Sequence, residues 1–130
     1  MNICIFNGDM SRGGGTERIT QILANGLVEK TNHNVFVLNL NNKSGKSFYP
    51  LNEKVNFEIL HSEGIRRKII ELFHFLKSRR IDVIVDVDIM LGIYSLPATA
   101  LYRHTKIISW EMFNIRNDIG SRHTDMIRKI

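Results

Sequence analysis

The sequence predicts a doubly wound α/β fold, a mainly parallel sheet with helices on both faces, and three observations predict it. Short apolar runs recur along the chain, stretches with apolar residues every three or four positions separate them, and polar or glycine-rich turns divide the two. Strands that alternate with amphipathic helices pair in parallel, because each helix carries the chain back across the sheet as a right-handed crossover.

Asn2 to Phe6 reads as the first strand, followed by a glycine-dense turn from Asn7 to Gly15 and by Thr16, a good helix N-cap. Ile19, Ile22, Leu23 and Leu27 then share one face of a helix, with Glu17, Gln21, Asn25 and Glu29 on the other, and the helix ends near Thr31 and Asn32. Asn34 to Leu40 is a nearly continuous apolar run, as in a strand covered on both faces. A polar loop from Asn41 to Lys54 leads to an alternating third strand, Val55 to Leu60. The second helix buries Ile65, Ile69, Ile70, Leu72, Phe73 and Leu76, and its outer residues include Arg66, Arg67, Lys68, Lys77, Arg79 and Arg80. Asp82 to Val87 is a buried strand; Met90 to Arg103 is helical, with Pro97 near a first turn or a kink; Lys106 to Trp110 is the last strand. Ile119, His123, Met126, Ile127 and Ile130 form an apolar helical stripe still running where the sequence stops, so the expectation is a single domain over 1–130 that is the front part of something longer.

Composition narrows the function classes. At 130 residues, 43% apolar and 24% charged, one domain buries roughly two thirds of its unfolded surface without disulfides or a structural metal. The single cysteine, Cys4, forms no internal bridge and no thiolate cage, which favours a reducing compartment. The first residues lack the basic start and long apolar run of a signal peptide, and Asp82, Asp86 and Asp88 interrupt the stretch from Ile81 to Tyr102 that would otherwise suit a membrane. A net charge of +5 invites anionic partners. No DNA- or RNA-binding motif accompanies it, so nucleic acid is not among the expected partners.

The glycine turn lies where an open α/β sheet collects ligands, between a strand's carboxyl end and a helix N-terminus. Two phosphate-binding fingerprints fail against it. The dinucleotide pattern needs a third glycine where Arg18 stands, and the second strand ends Asn39-Leu40-Asn41 without a ribose-binding acid. The ATPase pattern begins with Gly8 and Gly13 but continues Gly14-Gly15 instead of Lys and Ser or Thr, and Ser44-Gly45-Lys46-Ser47 has Leu40 at the place of its first glycine.

Gly13-Gly14-Gly15-Thr16-Glu17-Arg18-Ile19 after a first strand, with Asn25-Gly26-Leu27 and His33-Asn34-Val35 downstream, resembles the N-terminal domain of family 4 retaining glycosyltransferases of the GT-B type. Ile81 to Asp88 resembles that family's fourth strand, and Ile108 to Asn114 its fifth strand and following loop, with the match in register from Asn2 to Ile130. The resemblance implies a Rossmann-like domain on the acceptor side of a cleft, with the donor-binding domain beyond Ile130. It implies transfer of a sugar from a nucleotide-sugar to a saccharide or lipid-linked saccharide in polysaccharide and glycan biosynthesis, with no metal and no cofactor besides the donor substrate. Substrate contacts are expected at Gly13, Gly14, Gly15, Thr16, Glu17, Arg18 and Asp88, with Glu111 and Asn114 opposite; catalytic residues stay unassigned. Met112 stands where such enzymes often carry His, and methionine neither donates a hydrogen bond nor shuttles a proton. One wall of a two-walled cleft supplies neither proximity nor full charge stabilisation, so the isolated chain is expected to be inactive. The alternative is a binding or scaffold module that pairs with a separate subunit.

Three side-chain groups have rival readings. Asp86 and Asp88 mimic a metal-binding pair on one strand face; a polar strand end that caps the next helix is the preferred reading. The basic residues of the second helix form a solvated face or attract an anionic membrane surface, which suits a cytoplasmic protein on the inner face of the plasma membrane. His61, His74 and His104 show no metal-ligand spacing, and Trp110 is read as core.

Overall fold

The structure, a computed structural model, describes residues 1–109. Five strands, β1 (Asn2–Asn7), β2 (Asn34–Asn39), β3 (Asn56–Ile59), β4 (Val83–Asp86) and β5 (Lys106–Ser109), form one sheet in the order β3-β2-β1-β4-β5. Every neighbouring pair is parallel. Three helices connect them: α1 (Gly15–Lys30), α2 (Ile65–Ser78) and α3 (Gly92–Leu101), the last preceded by a 3-10 turn over Ile89–Leu91. Right-handed crossovers put α1 on one face, against β1 and β2, and α2 with α3 on the other, packed on each other. This is the expected doubly wound α/β architecture. Trp110 and the apolar stripe from Ile119 to Ile130 lie outside the described residues, as do Glu111, Met112 and Asn114.

The continuous apolar runs are the strands buried on both faces. Ile5 and Phe6 of β1, Val35 and Val37 of β2 and Ile84 of β4 are fully buried, with Leu72 and Leu76 of α2 and Ala98 of α3 packed into the same core. Strand order reverses direction between β1 and β4, so the loops that leave their carboxyl ends diverge and open a crevice there. At the opposite edge Asp82 accepts from the Asn2 amide at 2.7 Å and meets His104 Nε2 at 2.6 Å. These bonds hold its carboxyl below the usual aspartate range, the Asn2 amide contributing most.

Two helix faces differ from the expectation. Glu17, Thr20, Ala24 and Val28 are the buried residues of α1, while Ile22 is 60% exposed and Leu23 and Leu27 flank the core half-buried. Small and hydrogen-bonded residues win the centre because they let the helix axis approach the sheet, whereas periodicity counts only apolar residues. In α2, Lys68 is not an outer residue: it is 7% exposed and its Nζ donates to the Leu40 carbonyl at 2.8 Å. Ile65 and Ile70, expected inside, are exposed, and Phe75 is buried in their stead. Pro97 sits inside α3 rather than in its first turn.

The revised α1 face has a measurable consequence. Ile22→Ala should change stability by no more than about 0.5 kcal/mol, as at exposed sites. Ile5→Ala, at the sheet centre, should cost about 2–5 kcal/mol. Urea unfolding of the two variants checks the difference.

Candidate functional site

The carboxyl edge of the sheet is built around two asparagines that β1 and β2 place side by side, Asn7 opposite Asn39. Both are buried. Asn7 Nδ2 donates to Thr20 Oγ1 at 2.8 Å and to the Thr16 carbonyl at 3.3 Å, while its Oδ1 accepts from the Asp9 amide at 3.0 Å. One side chain therefore ties the strand end to both ends of the loop it feeds. Asn39 Oδ1 accepts from the Met10 amide at 2.8 Å and its Nδ2 donates to the Glu58 carbonyl at 2.9 Å. Met10, fully buried, plugs the loop from beneath, and Asp9 closes a local turn by accepting from the Ser11 amide and hydroxyl.

Above this frame Gly13, Gly14 and Gly15 stay exposed at the mouth of the sheet. Gly13 has a steric reason to be glycine: a Cβ there would stand 3.0 Å from the Phe48 ring, and Tyr49 Oη donates to its carbonyl at 2.9 Å. A Cβ on Gly15 would meet none of the described residues within 4 Å. The sequence expected Thr16 as the N-cap of α1, but Gly14 holds that position. Glu17 explains the shift. Its Oε1 accepts from the Gly14 amide at 3.1 Å and its Oε2 from the Thr16 hydroxyl, so a carboxylate only 5% exposed satisfies the positive end of the helix. Arg18 is exposed, its guanidinium 5.9 Å from the Tyr49 ring centroid.

The structure thus brings Gly13 to Arg18 together, and Asp88 leaves the same edge from β4. Asp86 and Asp88 do not share a strand face, because β4 stops at Asp86 and the chain turns. Asp88 is exposed and accepts from the Met90 amide at 3.0 Å, capping the 3-10 turn. Asp86 is 3% exposed, its Oδ2 accepting from the Ser95 hydroxyl of α3. Its Oδ1 has no hydrogen-bond partner among the described residues, and burial pushes this carboxyl from the ordinary 3.8 to about 6. Cys4, on β1 and fully buried, has its thiol raised well above the usual range by burial, with the Asp86 charge adding to it. Glu111 and Asn114 lie outside the described residues.

Sequence reasoning missed Asn7, Asn39, Phe48, Tyr49 and the Asp86–Ser95 pair. An asparagine closing each of the first two apolar runs was the available signal. The aromatic pair gave none, because it reaches Gly13 across 36 positions in sequence. A groove of about 680 Å³ runs along β3 and α2 between Glu58 and Arg79 and includes no residue of the glycine loop.

Two measurements follow from this geometry. Asn7→Ala leaves buried partners unsatisfied and should cost about 1–3 kcal/mol, with hydrogen exchange speeding up first at the amides of residues 9–16. Because folding raises the Asp86 pKa, its stabilising share is complete below the unfolded value of 3.8 and lost as pH rises through about 6. Urea stability measured between pH 4 and 7 should therefore fall by up to about 3 kcal/mol more in the wild type than in Asp86→Asn.

No protein-family model matches the chain, and no curated protein matches it. Among solved structures it is similar to the apo form of the lipopolysaccharide outer core galactosyltransferase WaaB, at a TM-score of 0.63 and 18% identity. The likeness covers 85% of this chain and 33% of that one, so the chain spans about a third of the length of the enzyme it matches. What the two share is the fold.

Proposed function

We infer that the chain forms one wall of a glycosyltransferase, the acceptor side of a cleft closed by a second, donor-binding domain. The observation that carries this reading is an exposed glycine bend, framed by Asn7 and Asn39, at the carboxyl edge of a fold shared with a galactosyltransferase. The exposed backbone at Gly15 suits close approach of a hydroxyl-rich ligand, and Arg18 and Asp88 offer it polar flanks. The reaction proposed is transfer of a sugar from a nucleotide-sugar to a saccharide or lipid-linked saccharide in glycan biosynthesis. Glu111 and Asn114 are proposed as further substrate contacts.

As charge develops on sugar and leaving phosphate, groups from both walls must converge. Glu17 is occupied in holding its own helix, so in this reading it keeps the bend in shape and leaves ligand contact to the main chain and Arg18. No described helix is long and apolar enough to cross a membrane. A membrane-borne acceptor would then be met from the surface, where the exposed basic residues of α2 add roughly 1 kcal/mol each.

A second reading, a non-catalytic module that pairs with a separate subunit, draws on one feature. Ile89, Met90, Ile93, Leu96 and Leu101 are all exposed on or beside α3, more apolar surface than a lone helix usually shows water.

A longer polypeptide with this chain at its front should release nucleotide from a nucleotide-sugar panel in the presence of membrane extract, while residues 1–130 alone should release none. Gly15→Leu adds a side chain whose Cβ meets none of the described residues within 4 Å and should leave the thermal midpoint within a few degrees, yet lower turnover of the longer protein at least about tenfold. Release of nucleotide by the short chain, or full activity of the leucine variant, would overturn the reading.

A further inference from the structure

The sheet ends on one side at β3, and the ladder beside it shows which backbone groups of that strand are spent. The Leu60 amide donates to the Asn39 carbonyl, and Asn39 stands opposite Ile59 in the register. In a parallel ladder the residue opposite a bonded one turns its own amide and carbonyl the other way. Ile59, and Phe57 two places before it, therefore point both groups off the sheet, where no hydrogen bond meets them among the described residues. Such a row is a template for one more strand.

Beside that strand the groove of about 680 Å³ has β3 along one side and α2 along the other. Its acids are occupied: Glu58 pairs with Arg79 at 3.6 Å, and Glu71 accepts from the His61 and Ser62 amides. Its other cations are not, since among the described residues no carboxylate pairs with Lys77 or Arg80.

Arg80 carries a separate mark. It follows the C-cap of α2 with φ 51°, the left-handed conformation that closes a helix and that glycine adopts without strain. A side chain in that conformation costs stability. Stopping the helix thus accounts for a glycine at this position and not for an arginine.

Charge selects the occupant. A second copy pairing edge to edge would set Lys77 and Arg80 against their like. The segment from Trp110 to Ile130 is itself net positive, Arg116, Arg122, Arg128 and Lys129 outnumbering Glu111, Asp118 and Asp125. An acidic strand from another protein meets neither objection.

We propose that the outer side of β3 takes up an extended acidic segment of a partner protein as a further parallel or antiparallel strand, with alternate carboxylates in the groove against Lys77 and Arg80. Glu58 faces α2, so Phe57 and Ile59, half-buried, face the other side of the sheet. The residues between those carboxylates lie beside these two side chains and are apolar. This surface uses no residue of the glycine bend and stands whether or not the chain takes part in sugar transfer.

A fluorescent hexapeptide alternating glutamate with valine, titrated into the 130-residue chain, should bind saturably, and its lysine counterpart at least about tenfold more weakly. Bound peptide should slow hydrogen exchange at least about tenfold at the Phe57 and Ile59 amides and leave that of Glu58, which faces β2, unchanged. Lys77→Gln should weaken binding about threefold. Arg80→Gly should weaken it as much while raising the thermal midpoint by a few degrees, an outcome that loss of fold cannot mimic. Arg103→Gln, between α3 and β5 at the other side of the sheet, should bind as the wild type does. Equal binding of the two peptides, unslowed exchange at Phe57 and Ile59, or unchanged affinity in both Lys77→Gln and Arg80→Gly would overturn the proposal. So would slow exchange at those amides in the free chain that quickens on dilution, which assigns the edge to a second copy.

Discussion

The carboxyl edge of this domain depends on a pair of carboxamides. A parallel sheet ends abruptly, and where β1 and β2 stop, the next backbone groups lose their sheet partners and must find others before they can be buried. Asn7 and Asn39 sit at those ends, each able to donate and accept at once, and each uses both capacities. Asn7 joins β1 to the first turn of α1; Asn39 joins β2 to Met10 and to the end of β3. The glycine bend can therefore be exposed and still well defined, since its footing is buried and its rim is free. An aliphatic residue at either position would leave several amides and carbonyls dry and unpaired.

Three buried charged or titratable groups show how far this fold tolerates polarity near its ligand edge. Glu17 is fully engaged, its two oxygens shared between the Gly14 amide and the Thr16 hydroxyl, so it stabilises the start of α1 at little cost. Asp86 is half engaged, with Ser95 on one oxygen and no partner for the other among the described residues, and burial raises its pKa. Lys68 donates to a carbonyl, and among the described residues no carboxylate forms an ion pair with it. Burial of an ion without a full set of partners is the costliest of these arrangements, and both incomplete cases lie where strands end and loops diverge.

The two edges of the sheet divide the work. At the amino edge Asn2, Asn34, Asp82 and His104 bond one another and the turn after α2, leaving that end closed on itself. At the carboxyl edge the hydrogen bonds run inward, from loops to strand ends, so the outer surface of the loops stays available. The crevice between β1 and β4 opens there because strand order reverses there.

The sequence by itself determined the order of strands and helices and their parallel pairing. Those rest on period and turn chemistry, which are local, and on the handedness of crossovers, which is general. It also located the glycine bend, since consecutive glycines between a strand and a helix need no partner to be noticed. Tertiary structure alone decided which side of α1 meets the sheet and that Lys68 is inside. Periodicity counts apolar residues, while the sheet selects for close approach and satisfied hydrogen bonds, and these favoured Thr20 and Ala24 over Ile22. The pairing of Asn7 with Asn39 and the reach of Tyr49 to Gly13 were equally out of view. They join positions 32 and 36 residues apart, and only the folded sheet brings them within reach of one another.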